Sequence, residues 1–364
     1  MIHFDHAATR APRHPAALAA AAEASPLLTP HRGLHAAQGQ SQSVVERARQ
    51  RVAALCPSGV VCFLGGATHA LNQAIMGWRP VPTRIALGPM VHNAARRPAI
   101  ATGAELWSLP SDPEGRIDLA AARREWPTHI DLVVVTHGSN VNGVLQPIAE
   151  LAEFAQTRGA MTVVDAAQTA GVVDTTQLGP VAAVAFSAHK GVGGLPGVGA
   201  LVLRRGVQLD PLIRGGVGFD AAEDDVPQQA PHRYEAGTPN LPGIAAFGAA
   251  AAHCDPWDHR GAAEALRAAI QSAGYTPRCC DLPVASIDPG MDPRAAEELL
   301  ERVFGVISRA GLHCAPTAHH TLGTGARGTL RLSSGRSTTA AELERLAEAL
   351  RGLRAAAAEI NDVE

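Results

Sequence analysis

The 364-residue sequence has no excess of basic charge, no long apolar run and no ordered spacing of cysteines. Its net charge of −3 at pH 7 lacks the electrostatic footprint of a nucleic-acid binder. No stretch of about eighteen consecutive apolar residues occurs, so no membrane-spanning helix is expected. The first ten residues, MIHFDHAATR, lack the basic region and apolar core of a secretion signal. The six cysteines are scattered and form no paired CxxC, which suits free thiols in a reducing cytoplasm and no metal centre. Cys279 and Cys280 are adjacent, an arrangement that rarely chelates one tetrahedral ion. Internal repeats and low-complexity linkers are also missing. What remains is 46% hydrophobic and 18% charged, the composition of a soluble globular chain. Its length suits a large α/β domain with a smaller one.

The most informative stretch is Met161 to Arg204. Three short apolar runs, Met161 to Val164, Ala182 to Phe186 and Gly199 to Leu203, read as strands of a sheet covered on both faces. Asp165 follows the first, and Ser187, His189 and Lys190 follow the second. Ligands bind at the carboxyl ends of such strands. Taken alone, an Asp and a Lys at strand ends are more often solvated loop residues. As a pair they match what pyridoxal-phosphate chemistry requires: a lysine for a Schiff base and a carboxylate for the pyridinium nitrogen. Upstream, Val60 to Leu64, then Gly65, Gly66, Ala67 and Thr68, then a helix to Met76, reads as strand, glycine turn and helix N-terminus. Such a turn presents free N–H groups and the positive helix end to an anion.

VDAAQ and FSAHKGVGGLPGVGAL in this stretch resemble the cysteine desulfurase branch of the class-V aminotransferase family. The resemblance extends from FDHAAT at Phe4 to Ser334 and includes RYEAGTPNLPG at 233–243 and RAGLHCAP around Cys314. It implies a type I pyridoxal-phosphate fold: α/β, with a large domain (15–245) built on a mainly parallel seven-stranded sheet, and a small α/β domain (246–364, joined by 1–14). It also implies a homodimer and the cofactor pyridoxal 5'-phosphate. Lys190 would carry the cofactor and Asp165 would pair with its ring nitrogen. His92 would stack on the ring, and Asn140 and Gln168 would lie beside the phenolic oxygen. Ala67, Thr68, Ser187, His189 and Thr238 would serve the phosphate, Thr238 because Val217 stands where relatives carry Thr. Arg331, in GTLRLSSG, would grip the substrate carboxylate, with Ala8 and Asn140 also near the substrate.

Cys314 falls on the catalytic cysteine of one desulfurase branch, and His313 or Arg309 would favour its thiolate. The implied reaction converts L-cysteine to L-alanine and leaves the sulfur on Cys314 as a persulfide, with a sulfur-acceptor protein as a possible partner. Selenocysteine lysis, a C–S β-lyase or an aminotransferase on the same scaffold are the alternatives. They are kept open by His6, His69 and Val217, which replace the family's usual Asn, Glu and Thr. Leu343, Leu346, Leu350 and Leu353, with Ala341, form a helical stripe expected to pack in a core.

Overall fold

Apolar runs of four or five residues alternate with amphipathic segments along the first two thirds of the chain, and each becomes a strand or a helix. The computed structural model describes every residue except 29, 31–35, 219–223, 256, 280 and 362–364. The loop expected at HRGLH (31–35), Phe219, part of the surface loop expected at 220–232, and Cys280 therefore lie outside the described residues. The chain begins with β1 (Ile2–His3), α1 (Pro15–Ala24) and α2 (Ala36–Leu55). Then come β2 (Val60–Leu64), α3 (Ala67–Met76), β3 (Arg84–Leu87), α4 (Asn93–Ala101), β4 (Glu105–Ser108), α5 (Leu119–Glu125), β5 (Leu132–Thr136) and α6 (Ile148–Thr157). β6 (Met161–Asp165), β7 (Ala183–Ser187) and β8 (Gly199–Leu203) follow, then α7 (Leu241–Ala251) and α8 (His259–Ser272). The last third holds β9 (Arg278–Cys279), β10 (Val284–Ile287), α9 (Pro293–Arg302), β11 (Val306–Ile307), β12 (Arg309–Gly311), α10 (Pro316–Thr321), β13 (Thr329–Ser333) and α11 (Ala340–Asn361).

Seven strands form one sheet in the order β2-β8-β7-β6-β5-β3-β4. β8 runs antiparallel to both neighbours, and the other pairs are parallel. β5, β6, β7 and β8 are buried at every residue, as strands covered on both faces must be; the one exception is the half-buried Met161. One face packs on Ala17, Val52, Leu151 and Phe247, from α1, α2, α6 and α7. The other packs on Leu71, Ile75 and Ala95, from α3 and α4.

A second sheet, ordered β12-β13-β10-β9, is antiparallel. Its core joins Leu266, Leu300, Leu332, Leu346, Leu350 and Leu353 to Ile2 and Phe4 from the N-terminus. β1 pairs in parallel with β11, and Asp5 bridges to Ser333. Of the α11 stripe, Leu343 is partly buried and Ala341 is exposed, so the packed face begins one turn later than the pattern suggests. α7 runs through residues 245 and 246 and packs along its length in the first core.

Candidate active site

Parallel strands end together, and here the ends of β5, β6 and β7 meet the N-terminus of α3. Thr136 and Asp165 are register partners, as are Asp165 and Ala185. The result is a cavity of about 490 Å³. Ala67, Thr68, His92, Asn140, Asp165, Gln168, Ser187, His189 and Lys190 all line it.

Each wall has a local cause. Gly66 caps α3 at φ 135° and has no side chain of its own to bond the helix end, so the first-turn N–H groups of α3 point outward. One of them, from Ala67, donates to Ser187 Oγ at 2.9 Å, which leaves the serine hydroxyl hydrogen available. His69 closes the same turn by accepting the Gly65 N–H at 3.3 Å. His92 caps α4, its Nδ1 accepting from Ala94 N–H at 3.0 Å. His189 holds Thr9 Oγ1 at 3.0 Å, and burial pushes its pKa down to about 4.

Asp165 is 3% exposed, and its Oδ1 accepts the Ala167 N–H at 2.9 Å. Its second carboxylate oxygen has no protein partner among the described residues. Burial lowers the pKa of Lys190, and Asp165 opposes that shift, so these two groups sense one another across the cavity. Burial likewise lowers His92, again opposed by Asp165. Gln168 donates an N–H to the Ala7 carbonyl at 2.8 Å, which ties the N-terminal segment to this wall.

Arg331 on β13 is 2% exposed. It donates to the Asn140 carbonyl at 2.9 Å and to Asp5 Oδ1 at 2.5 Å, while its buried Nε has no partner. Two of the five guanidinium N–H donors are thus used, and Arg331 itself does not line the Lys190 cavity. Asp5 and the unpartnered Thr136 hydroxyl in the cavity wall were not singled out from sequence. Asp5 lies inside the FDHAAT motif, but only the fold reveals its partner 326 positions away.

Cys314 is exposed and sits between β12 and α10, with φ 56° directly after His313 at φ 49°. Two consecutive non-glycine residues in the left-handed region make a strained turn. Three hydrogen bonds hold this turn in place, one of them to Asn140 of the cavity wall. Cys314 accepts from the Asn93 N–H at 2.7 Å, His313 accepts from Asn140 Nδ2 at 2.8 Å, and the His313 ring meets Thr329 Oγ1 at 3.0 Å. Burial holds the His313 imidazole neutral, its pKa pushed down to about 2. The positive charge expected beside the thiol from His313 is therefore absent. Arg309, Arg331 and Lys190 are the cations within electrostatic reach of this region.

Thr238 is exposed and lines a separate cavity of about 870 Å³ with His69 and Val217. Ala8 spends its N–H on the Asp5 carbonyl at 3.1 Å. Among the described residues, no cluster of His, Cys, Asp and Glu has the spacing of a metal site. Among the described residues, no helix is long and apolar enough to cross a membrane.

The family model described as Aminotransferase class-V matches residues 2–346. A cysteine desulfurase of Cereibacter sphaeroides is 35% identical over 273 residues, covering 68% of this chain and 66% of that protein. A probable cysteine desulfurase of Vibrio cholerae is 31% identical over 356 residues, covering 88% and 85%. Against the first of these, and against other curated relatives, the chain spans less than two thirds of their length. An apo structure of a cysteine desulfurase from Thermococcus onnurineus NA1 superposes with a TM-score of 0.88 at 26% identity, covering 98% of this chain and 95% of that one.

Proposed function

The chain belongs to the class-V aminotransferase family, and from that membership we propose that it is a pyridoxal-phosphate-dependent cysteine desulfurase that converts L-cysteine to L-alanine. The observation that carries the reading is the meeting of Asp165, Lys190 and the α3 N-terminus in one cavity, with His313, next to Cys314, tied to its wall through Asn140. The donor set fits the cofactor. Ser187 and the α3 N–H groups suit a phosphate, and the open oxygen of Asp165 suits a protonated ring nitrogen. The unpartnered Thr136 hydroxyl marks polar space without a protein occupant. When bound there, pyridoxal phosphate supplies an electron sink for charge developing at the substrate Cα.

The chain's own residues do the rest. Arg331 binds the substrate carboxylate through its remaining N–H groups and orients the Cα. Asp5 holds that guanidinium in place. Lys190, whose lowered pKa leaves more free amine near neutrality, takes the Cα proton. Cys314 attacks as the thiolate: an S–S bond forms as the substrate C–S bond breaks, and the released electron pair ends as a C–H bond of alanine after protonation. The persulfide remains on an exposed residue, open to an acceptor. A homodimer and a sulfur-acceptor protein in the cytoplasm belong to the same reading. The exposed Ile213 beside the Thr238 cavity agrees with a covered face there.

The test is turnover of L-cysteine with alanine and sulfide both measured under reducing conditions. Equal yields are expected, with sulfide lost in Cys314→Ser while the cofactor's absorbance band stays. Pyruvate and ammonia in place of alanine would move the assignment to a C–S β-lyase.

A further inference from the structure

A third cavity adjoins the first at Lys190 and Gln168, which line both spaces. One part of its wall is apolar: Val172, Leu282, Val284 and the indole of Trp257. The other part carries two guanidinium groups, Arg10 and Arg336, and no Asp or Glu among the described residues. Arg10 rests on the carbonyls of Gly191 and Val192 at 3.4 and 3.3 Å, the long end of hydrogen bonding. Arg336 donates to the Asp255 carbonyl and lies 5.7 Å from the Trp257 ring centre. Neither forms an ion pair with a carboxylate among the described residues. Burial lowers the pKa of Arg10, and Arg336 lowers it further, the mark of two cations near one another with little to offset them.

The polar lining is incomplete in a second way. Ser334, 6% exposed, has a hydroxyl with no partner, and so does Nδ1 of His6. Both residues line this cavity. Buried polar atoms without partners are uncommon, and here two of them share a wall with two unneutralised guanidinium groups. Guanidinium groups match planar carboxylates through paired hydrogen bonds, and the apolar wall asks for a hydrocarbon body.

We propose that this cavity is a subsite for a small organic carboxylate, its charge held by Arg10 and Arg336 and its apolar body lying on Val172, Leu282 and Trp257. The proposal stands whether or not the first cavity turns over cysteine. It is a different place from Arg331, which does not line this space.

Calorimetric titration of the full chain with 3-phenylpropanoate, with and without added pyridoxal phosphate, tests it. Saturable binding is expected, weakened at least about tenfold by Arg336→Gln, with Arg331→Gln leaving it intact; a lost charge-assisted pair is of that order. The neutral analogue 3-phenylpropanol should bind far more weakly. Arg10 also supports the Gly191–Val192 turn, so Arg10→Lys, which keeps the charge but not the fork, is the second variant and should weaken binding. Quenching of Trp257 fluorescence, identified by its loss in Trp257→Phe, should follow the same titration. The proposal is overturned by absence of saturable binding at millimolar probe, by equal binding of acid and alcohol, by full affinity in both Arg336→Gln and Arg10→Lys, or by loss in Arg331→Gln alone.

Discussion

His137 shows how far burial alone sets a residue's chemistry. It is 8% exposed, its Nδ1 meets Thr169 Oγ1 at 3.0 Å, and burial lowers its pKa from 6.5 to about 4. Between those values the unfolded chain binds a proton that the folded chain refuses, so stability falls as pH drops through this window and levels off below it. Unfolding by urea at pH 5 and pH 7 should differ by about 2 kcal/mol for this histidine alone, at 1.36 kcal/mol per pH unit. His137→Asn should remove that share of the difference. His137 was legible in sequence only as part of HGSNVNG; nothing local says that Thr169 closes over it. The same limit applies to Asp5 and Thr136. Lys190, Asp165 and Ser187 could be read because they follow apolar strands directly. Arg331's partner could not, because it lies at the opposite end of the chain.

The elements explain why the α3 turn is shaped as it is. β8 must pass directly beside it: a Cβ placed on Gly199 would stand 2.7 Å from Gly66 Cα and 2.6 Å from the Phe186 carbonyl. Both neighbours are backbone and cannot swing aside. Gly199→Ala should therefore push β8 away from β7 and open the turn. We expect a stability loss of about 1 to 3 kcal/mol by urea unfolding, with cofactor affinity reduced more than in a variant of equal stability loss elsewhere. The apolar pattern marked β8 as a strand with correct bounds, yet it does not encode direction. The antiparallel placement between β2 and β7 follows from a short glycine-rich connection, too short for a parallel crossover. The two-residue β1 and the three-residue β12 were harder still: pairing partners far away, not their own sequences, make them strands.

At the scale of the whole molecule, the N-terminal segment belongs to the late part of the chain. Phe4 is fully buried among residues from α8, α9, β13 and α11. Phe4→Ala should cost about 3 to 5 kcal/mol, read from the urea midpoint, by removal of a buried aromatic ring. Because Asp5 follows directly, the same variant should raise KM for the amino-acid substrate more than it lowers kcat. The resemblance already grouped residues 1–14 with the last third; the packing of Ile2 and Phe4 gives that grouping a physical content without fixing a boundary.

The pairing of Asp5 with Arg331 also sets an order of events during synthesis. A ribosome adding roughly 5–20 residues per second needs on the order of 20 to 60 s to travel from one to the other. Throughout that interval the nascent sheet can assemble around α3 and Lys190 while Phe4 has no cavity to enter. The emerging polypeptide thus carries its first residues unpaired until β13 and α11 are made, and the Asp5–Arg331 pair closes only then.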